Sequence, residues 1–156
     1  MFLRGLALLA LLPIFSRAPE TTLLDGTAQP CADVRASTSG VPGVHVYAFD
    51  AAKVPTIRAS LAVIDTLDWE NGGVALRAAS AEYDRLMARV NRARKLGRAT
   101  SNGNGDFEIT VPQLDSVLVF AEANPGDDPF YFSSKVVAAS GQDEVRVILL
   151  MCNESH

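Results

Sequence analysis

Gly97-Arg98-Ala99-Thr100-Ser101-Asn102-Gly103-Asn104-Gly105-Asp106-Phe107-Glu108-Ile109-Thr110-Val111-Pro112 decides how the rest of the chain reads. Arg98-Ala99-Thr100 is short and strand-like. Asn102 to Gly105 is a strong tight-turn signal, because Asn and Gly tolerate positive φ at little cost. From Asp106 the chain alternates cleanly, which predicts a half-buried strand with Phe107, Ile109 and Val111 turned inward.

The same period of two recurs on both sides of this stretch. Ala32, Val34 and Ala36 alternate with polar residues and suit a first strand. After the turn cluster Ser39-Gly40-Val41-Pro42-Gly43, Val44 to Phe49 reads as a second strand. One of its faces is small (Val44, Val46, Ala48) and the other is His45, Tyr47 and Phe49. Ser116 to Ala121 is apolar on both faces, as a central strand covered on both sides would be. Phe130 to Ala139 and Val145 to Met151 complete a count of about seven strands. That count, with turn signals between strands, predicts a mainly β protein, a seven-stranded antiparallel Greek-key sandwich.

Between residues 54 and 96 the period changes. Ile57, Leu61 and Ile64 recur at helical spacing, with Pro55 near the first turn. Asn71-Gly72-Gly73 stops this short helix. A longer helix over about 74–96 carries the stripe Leu76, Ala79, Tyr83, Leu86, Val90 and Ala93. Its opposite side holds Arg77, Glu82, Arg85, Arg89 and Arg92, which reads as a solvated face. Gly97 is a plausible stop. The two helices predict an α-helical hairpin inserted into the sandwich.

Three pieces together resemble a known family. Val41-Pro42-Gly43-Val44-His45-Val46-Tyr47 is similar to the second strand of a carboxypeptidase regulatory-like domain, residues 97–112 resemble its hairpin, and the Ser116–Ala121 strand follows as it does there. The resemblance covers about residues 31–50 and 97–151 and implies a transthyretin-like sandwich. The insertion at 54–96 departs from the family pattern, where a short connection is usual. Such modules occur as accessory domains and alone, so the resemblance speaks to fold and assigns no active site.

The ends of the chain speak to location. Met1 to Arg4 is a short positive start, Leu6 to Phe15 is an apolar run of about ten residues, and Ser16-Arg17-Ala18 offers small residues at a cleavage site. This predicts a signal peptide over 1–18, with cleavage as late as residue 28, and a linker over 19–30. The sandwich would occupy 31–152. The run is too short to span a bilayer, which takes ~20 residues, so no transmembrane helix is expected in the mature form. Cys31 and Cys152 are the only cysteines and bracket the mature chain. In an exported, periplasmic or extracellular protein they predict a disulfide, provided the first and last strands lie side by side.

Composition narrows function. Fourteen basic and 18 acidic residues give a formal net charge of −4, against a nucleic-acid partner, which would require a basic surface. The basic residues from Arg85 to Arg98 read as a solvated face or as contact with an anionic surface. Only His45 and His156 could act as histidine bases or ligands. With two cysteines paired, no zinc ligand set remains. Asp127-Asp128 reads as a solvated turn rather than a Ca²⁺ loop. No catalytic, cofactor-binding or metal residue is therefore assigned, and no cofactor is expected. The expectation is a non-enzymatic binding or structural module of the cell envelope whose partner is an unknown protein or envelope component. Tyr83, Leu86, Val90, His45 and Tyr47 are its candidate partner-binding residues. A small exported hydrolase with a site near His45 is one alternative. A carbohydrate-binding module is another, although Trp69 is the only tryptophan.

Overall fold

The computed structural model describes residues 20–30, 40–67, 73–123 and 132–151. Side-chain placement for residues 73–76 lies outside that description, which leaves out Leu76 of the helical stripe. The signal segment 1–18, the strand expected at Ala32–Ser37, Trp69, Asp127-Asp128, and Cys31 and Cys152 also lie outside the described residues.

Seven strands and two α-helices are described: β1 (Thr21–Pro30), β2 (His45–Asp50), α1 (Pro55–Asp65), α2 (Gly73–Arg92), β3 (Gly97–Thr100), β4 (Asp106–Pro112), β5 (Val117–Glu122), β6 (Phe132–Val137) and β7 (Glu144–Met151). A single 3₁₀ turn, Ala51–Lys53, joins β2 to α1. The strands form a three-stranded sheet in the order β4-β1-β7 and a four-stranded sheet in the order β3-β2-β5-β6. The fold is mainly β, with the two helices between β2 and β3.

Two expectations need correction here. Residues 19–30 do not form a linker, because Thr21–Pro30 is the central strand of the three-stranded sheet. Its inward residues are Thr22, Leu24, Gly26 and Ala28, mostly too small to register as an apolar alternation. Gly26 is small for a reason: a Cβ there would meet Phe107 Cζ at 2.1 Å, so the missing side chain is the space the Phe107 ring occupies. The set is also not wholly antiparallel. β1 pairs antiparallel with β4 but parallel with β7, from Leu23 opposite Glu144 to Pro30 opposite Met151. A parallel pair cannot be closed by a tight turn. Here almost the entire chain connects the two strands.

The turn at Asn102–Gly105 also has a different job from the one its sequence suggests. It does not join ladder partners: β3 lies in one sheet and β4 in the other. The turn is a corner between sheets. Asn102 Oδ1 accepts from the backbone N–H groups of Asn104 (2.8 Å) and Asp106 (3.0 Å), which fixes the bend. Gly105 has φ +85°, and its amide neighbourhood is crowded: Ala28 N–H donates to Gly105 O (2.9 Å) and Val41 N–H to Ala28 O (2.8 Å). A side chain at 105 would run into Ala28 O at 2.5 Å. Backbone from three segments converges there, and only glycine fits.

The apolar residues sort into two cores. One lies between the sheets and includes Leu24, Val46, Ala48, Phe107, Ile109, Val111, Val119 and Leu149. The other lies between the four-stranded sheet and the helices and includes Phe49, Phe120, Ile57, Ile64, Leu86 and Val90. β5 feeds both, so Val117 to Ala121 are all buried, as the two-faced apolar run requires. The long helix ends at Arg92, short of the expected 96. Lys95 Nζ donates to Val90 O (2.8 Å) and caps its last turn, and Leu96 N–H donates to Ala48 O (2.8 Å) to begin the next strand.

Candidate functional site

The helical hairpin covers the face of the four-stranded sheet that carries Tyr47 and Phe49. Leu86 and Val90 are fully buried against it and Tyr83 packs on Phe132, with ring centroids 5.6 Å apart. Tyr47 stacks on Phe120 at 6.5 Å, with rings 16° from parallel. The stripe that could have faced a partner is spent on the sheet. Of the five candidate partner-binding residues, Leu86 and Val90 serve the core and Tyr83 and Tyr47 are half-buried. Only His45 is exposed.

A polar group closes one end of this layer. Register places His45 opposite both Glu122 and Thr100. The Tyr47 hydroxyl donates to Glu122 Oε1 at 3.2 Å, and Thr100 Oγ1 lies 3.4 Å from His45 Nδ1. Burial, then the Glu122 carboxylate, pushes the Tyr83 phenol up to about 12, and the same two causes raise Tyr47. Both phenols therefore stay protonated at neutral pH and act as donors, not as bases. A nucleophile needs a base within hydrogen-bond reach. Among the described residues the Thr100 hydroxyl lies 3.4 Å from His45 Nδ1, longer than that reach, on an exposed strand surface.

A second polar cluster joins the helices, and sequence reasoning missed it. Glu82 was expected on the solvated side of α2 but is only 8% exposed. Its Oε1 accepts from Ser60 Oγ of α1 at 2.6 Å and its Oε2 from Arg85 Nη1 at 2.9 Å. Arg89 reaches across to Thr56 O (3.1 Å) and to the Ser60 hydroxyl. The hydrogen bond from Ser60, then that from Arg85, holds the Glu82 carboxyl below the usual carboxylate range. The signal was present: residue 82 lies three after Ala79 and four before Leu86, hence on the buried stripe. Its charge obscured its position.

Two adjoining open clefts sit where α2 ends beside the 3₁₀ turn. One, of about 420 Å³, is bounded by Asp50, Lys53, Arg94, Lys95, Leu96 and Leu114. The other, of about 310 Å³, is bounded by Lys53, Thr56, Ile57, Arg89 and Arg92, and Val54 and Ala93 form a wall common to both. Among the described residues there is no group of three or more His, Cys, Asp or Glu able to hold a metal ion. No helix among them is long and apolar enough to cross a membrane.

No family model matches the chain and no curated protein matches it. Among solved structures it is similar to the pilus backbone RrgB of Streptococcus pneumoniae, at 14% identity and a TM-score of 0.37, over 83% of this chain and 41% of that one. The full-length major pilin RrgB of the same organism matches at 14% identity and a TM-score of 0.37, over 84% and 30%. The chain thus spans less than half the length of either pilin.

Proposed function

We propose that this chain is an exported, non-enzymatic module of the carboxypeptidase regulatory-like kind, structural or protein-binding in the cell envelope. The observation that carries the reading is the use made of the helical hairpin. Its apolar stripe is consumed by the sheet, and its polar cluster is consumed in fastening α1 to α2. What might have been a cleft for chemistry is a packed layer. Seven strands divided three and four, with the helices in one connection, support the transthyretin-like resemblance. The hydrolase alternative rests on His45, which has a threonine hydroxyl and a carboxylate near it but lines neither described cleft.

Export and oxidation belong to the same proposal. A Cys31–Cys152 bridge requires that the first and last strands adjoin, and β1 and β7 do. The last pair of their ladder is Pro30 with Met151, each followed in sequence by a cysteine. A bridge closing so long a loop would stabilise by ~3–5 kcal/mol on the chain-entropy view.

The test is mass analysis of the protein recovered from the envelope fraction, without reductant. A mass lowered by loss of the N-terminal segment and by two hydrogens supports the proposal. An uncleaved, reduced chain in the cytoplasm overturns it. The enzymatic alternative is checked by a panel of ester and amide substrates: turnover by the wild type that His45→Ala abolishes would replace the non-enzymatic reading.

A further inference from the structure

We propose that the paired clefts at the end of α2 bind a small polyanion through its phosphate groups. The cations that border them come from separate parts of the chain. Lys53 belongs to the 3₁₀ turn, Arg89 and Arg92 to the last turns of α2, and Arg94 and Lys95 to the connection into β3. Among the described residues, the only carboxylate bordering either cleft is Asp50. This concentration of positive charge occurs on a chain whose formal net charge is −4.

Structure accounts for some of these cations and leaves others over. Lys53 pairs with Asp50 at 3.3 Å. Lys95 caps α2 and sits over the Tyr47 ring, 5.4 Å from its centroid. Arg89 ties α2 to α1 through Thr56 O and the Ser60 hydroxyl. Arg92 and Arg94 are exposed and make no ion pair among the described residues. Gathering like charges in a concave site costs self-repulsion, and the same arrangement focuses a positive field that an anion relieves.

Ligand chemistry follows from the donors and the walls. Guanidinium forks match tetrahedral oxyanions through paired hydrogen bonds, and two arginines with no ion pair among the described residues, beside a lysine, favour a doubly charged group with several acceptor oxygens. The clefts are of small-molecule size. Val54, Ile57, Leu96 and Leu114 supply an aliphatic wall for the uncharged part of the ligand. Among the described residues no aromatic ring borders either cleft, so they offer no stacking platform of the kind that grips single-stranded nucleic acid.

The phosphate could belong to a soluble compound or to a lipid headgroup, and the experiment separates the two. Inorganic tripolyphosphate is titrated into the purified protein by calorimetry at about 0.15 M salt, where charges are screened beyond about 8 Å. Flotation with phosphatidylglycerol vesicles forms the second arm. The variants are Arg92→Glu/Arg94→Glu and, as control, Lys135→Glu on β6, an exposed cation outside the clefts. All three substituted positions are exposed, so unchanged circular dichroism melts are expected. Saturable binding of one tripolyphosphate, weakened about tenfold or more in the double variant and unchanged in the control, supports the proposal. Vesicle flotation that the double variant loses and tripolyphosphate competes assigns the phosphate to a headgroup and also supports it. Absence of saturable binding in both arms overturns the proposal. So does equal weakening by the control, or binding to the sulfated polymer heparin alone.

Discussion

The two cores meet on opposite faces of one strand and are built from different materials. On the β5 face that looks toward the other sheet, Val117, Val119 and Ala121 meet short side chains such as Val46 and Ala48. On the face that looks toward the helices, Phe120 meets Tyr47 and Phe132, with Leu86 and Val90 beyond. Facing sheets pack about 10 Å apart, and here the short side chains of the four-stranded sheet meet the larger Leu24, Phe107, Ile109 and Leu149 of the other. Helices laid across a sheet leave a less regular gap, and large rings fill it. The inter-sheet core is bounded by backbone and hydroxyl contacts. An example is the buried Thr22 hydroxyl, which lies 2.8 Å from Ala139 O and 2.6 Å from Gln142 O. The helical layer is instead bounded by ionisable groups: Glu82, Arg85 and Arg89 at one place, Tyr47, Tyr83 and Glu122 at another. The comparison implies that the helical layer responds to pH through Glu82, Tyr47 and Tyr83.

The largest expected effect comes from Phe120→Ala. It removes a fully buried ring at the centre of the helix-facing aromatic group and should cost ~3–5 kcal/mol. Hydrogen exchange distinguishes the layers: amides of α1 and α2 should lose protection well before those of β1 and β4. Uniform loss across both sheets would mean that the two cores do not act separately. Gly26→Ala perturbs the other core. The added methyl meets the Phe107 ring, and overpacking of this kind costs ~1–3 kcal/mol. Its destabilisation in urea melts should be the same at pH 4 and pH 7, since no titrating group is involved.

Much of the inter-sheet core was legible in the sequence because Phe107-Ile109-Val111 and Val147-Leu149-Met151 alternate with polar residues, and the structure buries all six. The strand between them was not legible. Thr22, Gly26 and Ala28 make a poor apolar face on their own, and what completes it is the Phe107 ring, 81 residues from Gly26. The parallel pairing of β1 with β7 was hidden for a related reason: it depends on both ends of the chain, and no turn announces it. In the hairpin, the stripe was legible but its target was not: Tyr83, Leu86 and Val90 served equally as a docking face until the fold laid them on the sheet. The fastening of the helices was not, because Glu82 and Ser60 have surface chemistry and buried positions. The clefts are the least legible feature. Lys53 and Arg94 are 41 positions apart in sequence, and only the fold brings them to one opening.

Glu82→Gln gives the next effect in size. Hydrogen bonds to a charged group contribute ~1.5–3 kcal/mol, and the amide keeps one acceptor while losing the charge. The carboxyl is held low in the folded state, so its contribution is present above the unfolded value of about 4.5 and is lost as pH falls through the lower folded value. The wild type should therefore lose thermal stability from about pH 4.5 downward. Glu82→Gln should be less stable at pH 7 and show a flatter profile below pH 4.5. Parallel profiles for the two proteins would mean that Glu82 contributes nothing specific to the helical layer.

Tyr83 gives the smallest effect, and it appears at the opposite end of the scale. Its folded value is about 12 against an ordinary 10.0, so the folded protein holds the phenolic proton that the unfolded chain releases. Between those values the folded state binds more protons than the unfolded state, and stability must fall as pH rises. Below pH 10 the group is neutral in both states and contributes no slope. Tyr83→Phe keeps the ring against Phe132 and removes the titration, so its stability near neutrality should change only by the lost polar contact. Its decline from pH 10 to 12 should be shallower than that of the wild type. A residual decline is still expected, because Tyr47 is raised by the same burial and the same Glu122 carboxylate. Adding Tyr47→Phe should flatten the curve further, and by more than the sum of the separate changes if Glu122 couples the two phenols. A strictly additive result would place the tyrosines in independent surroundings and remove Glu122 as the link between sheet and hairpin.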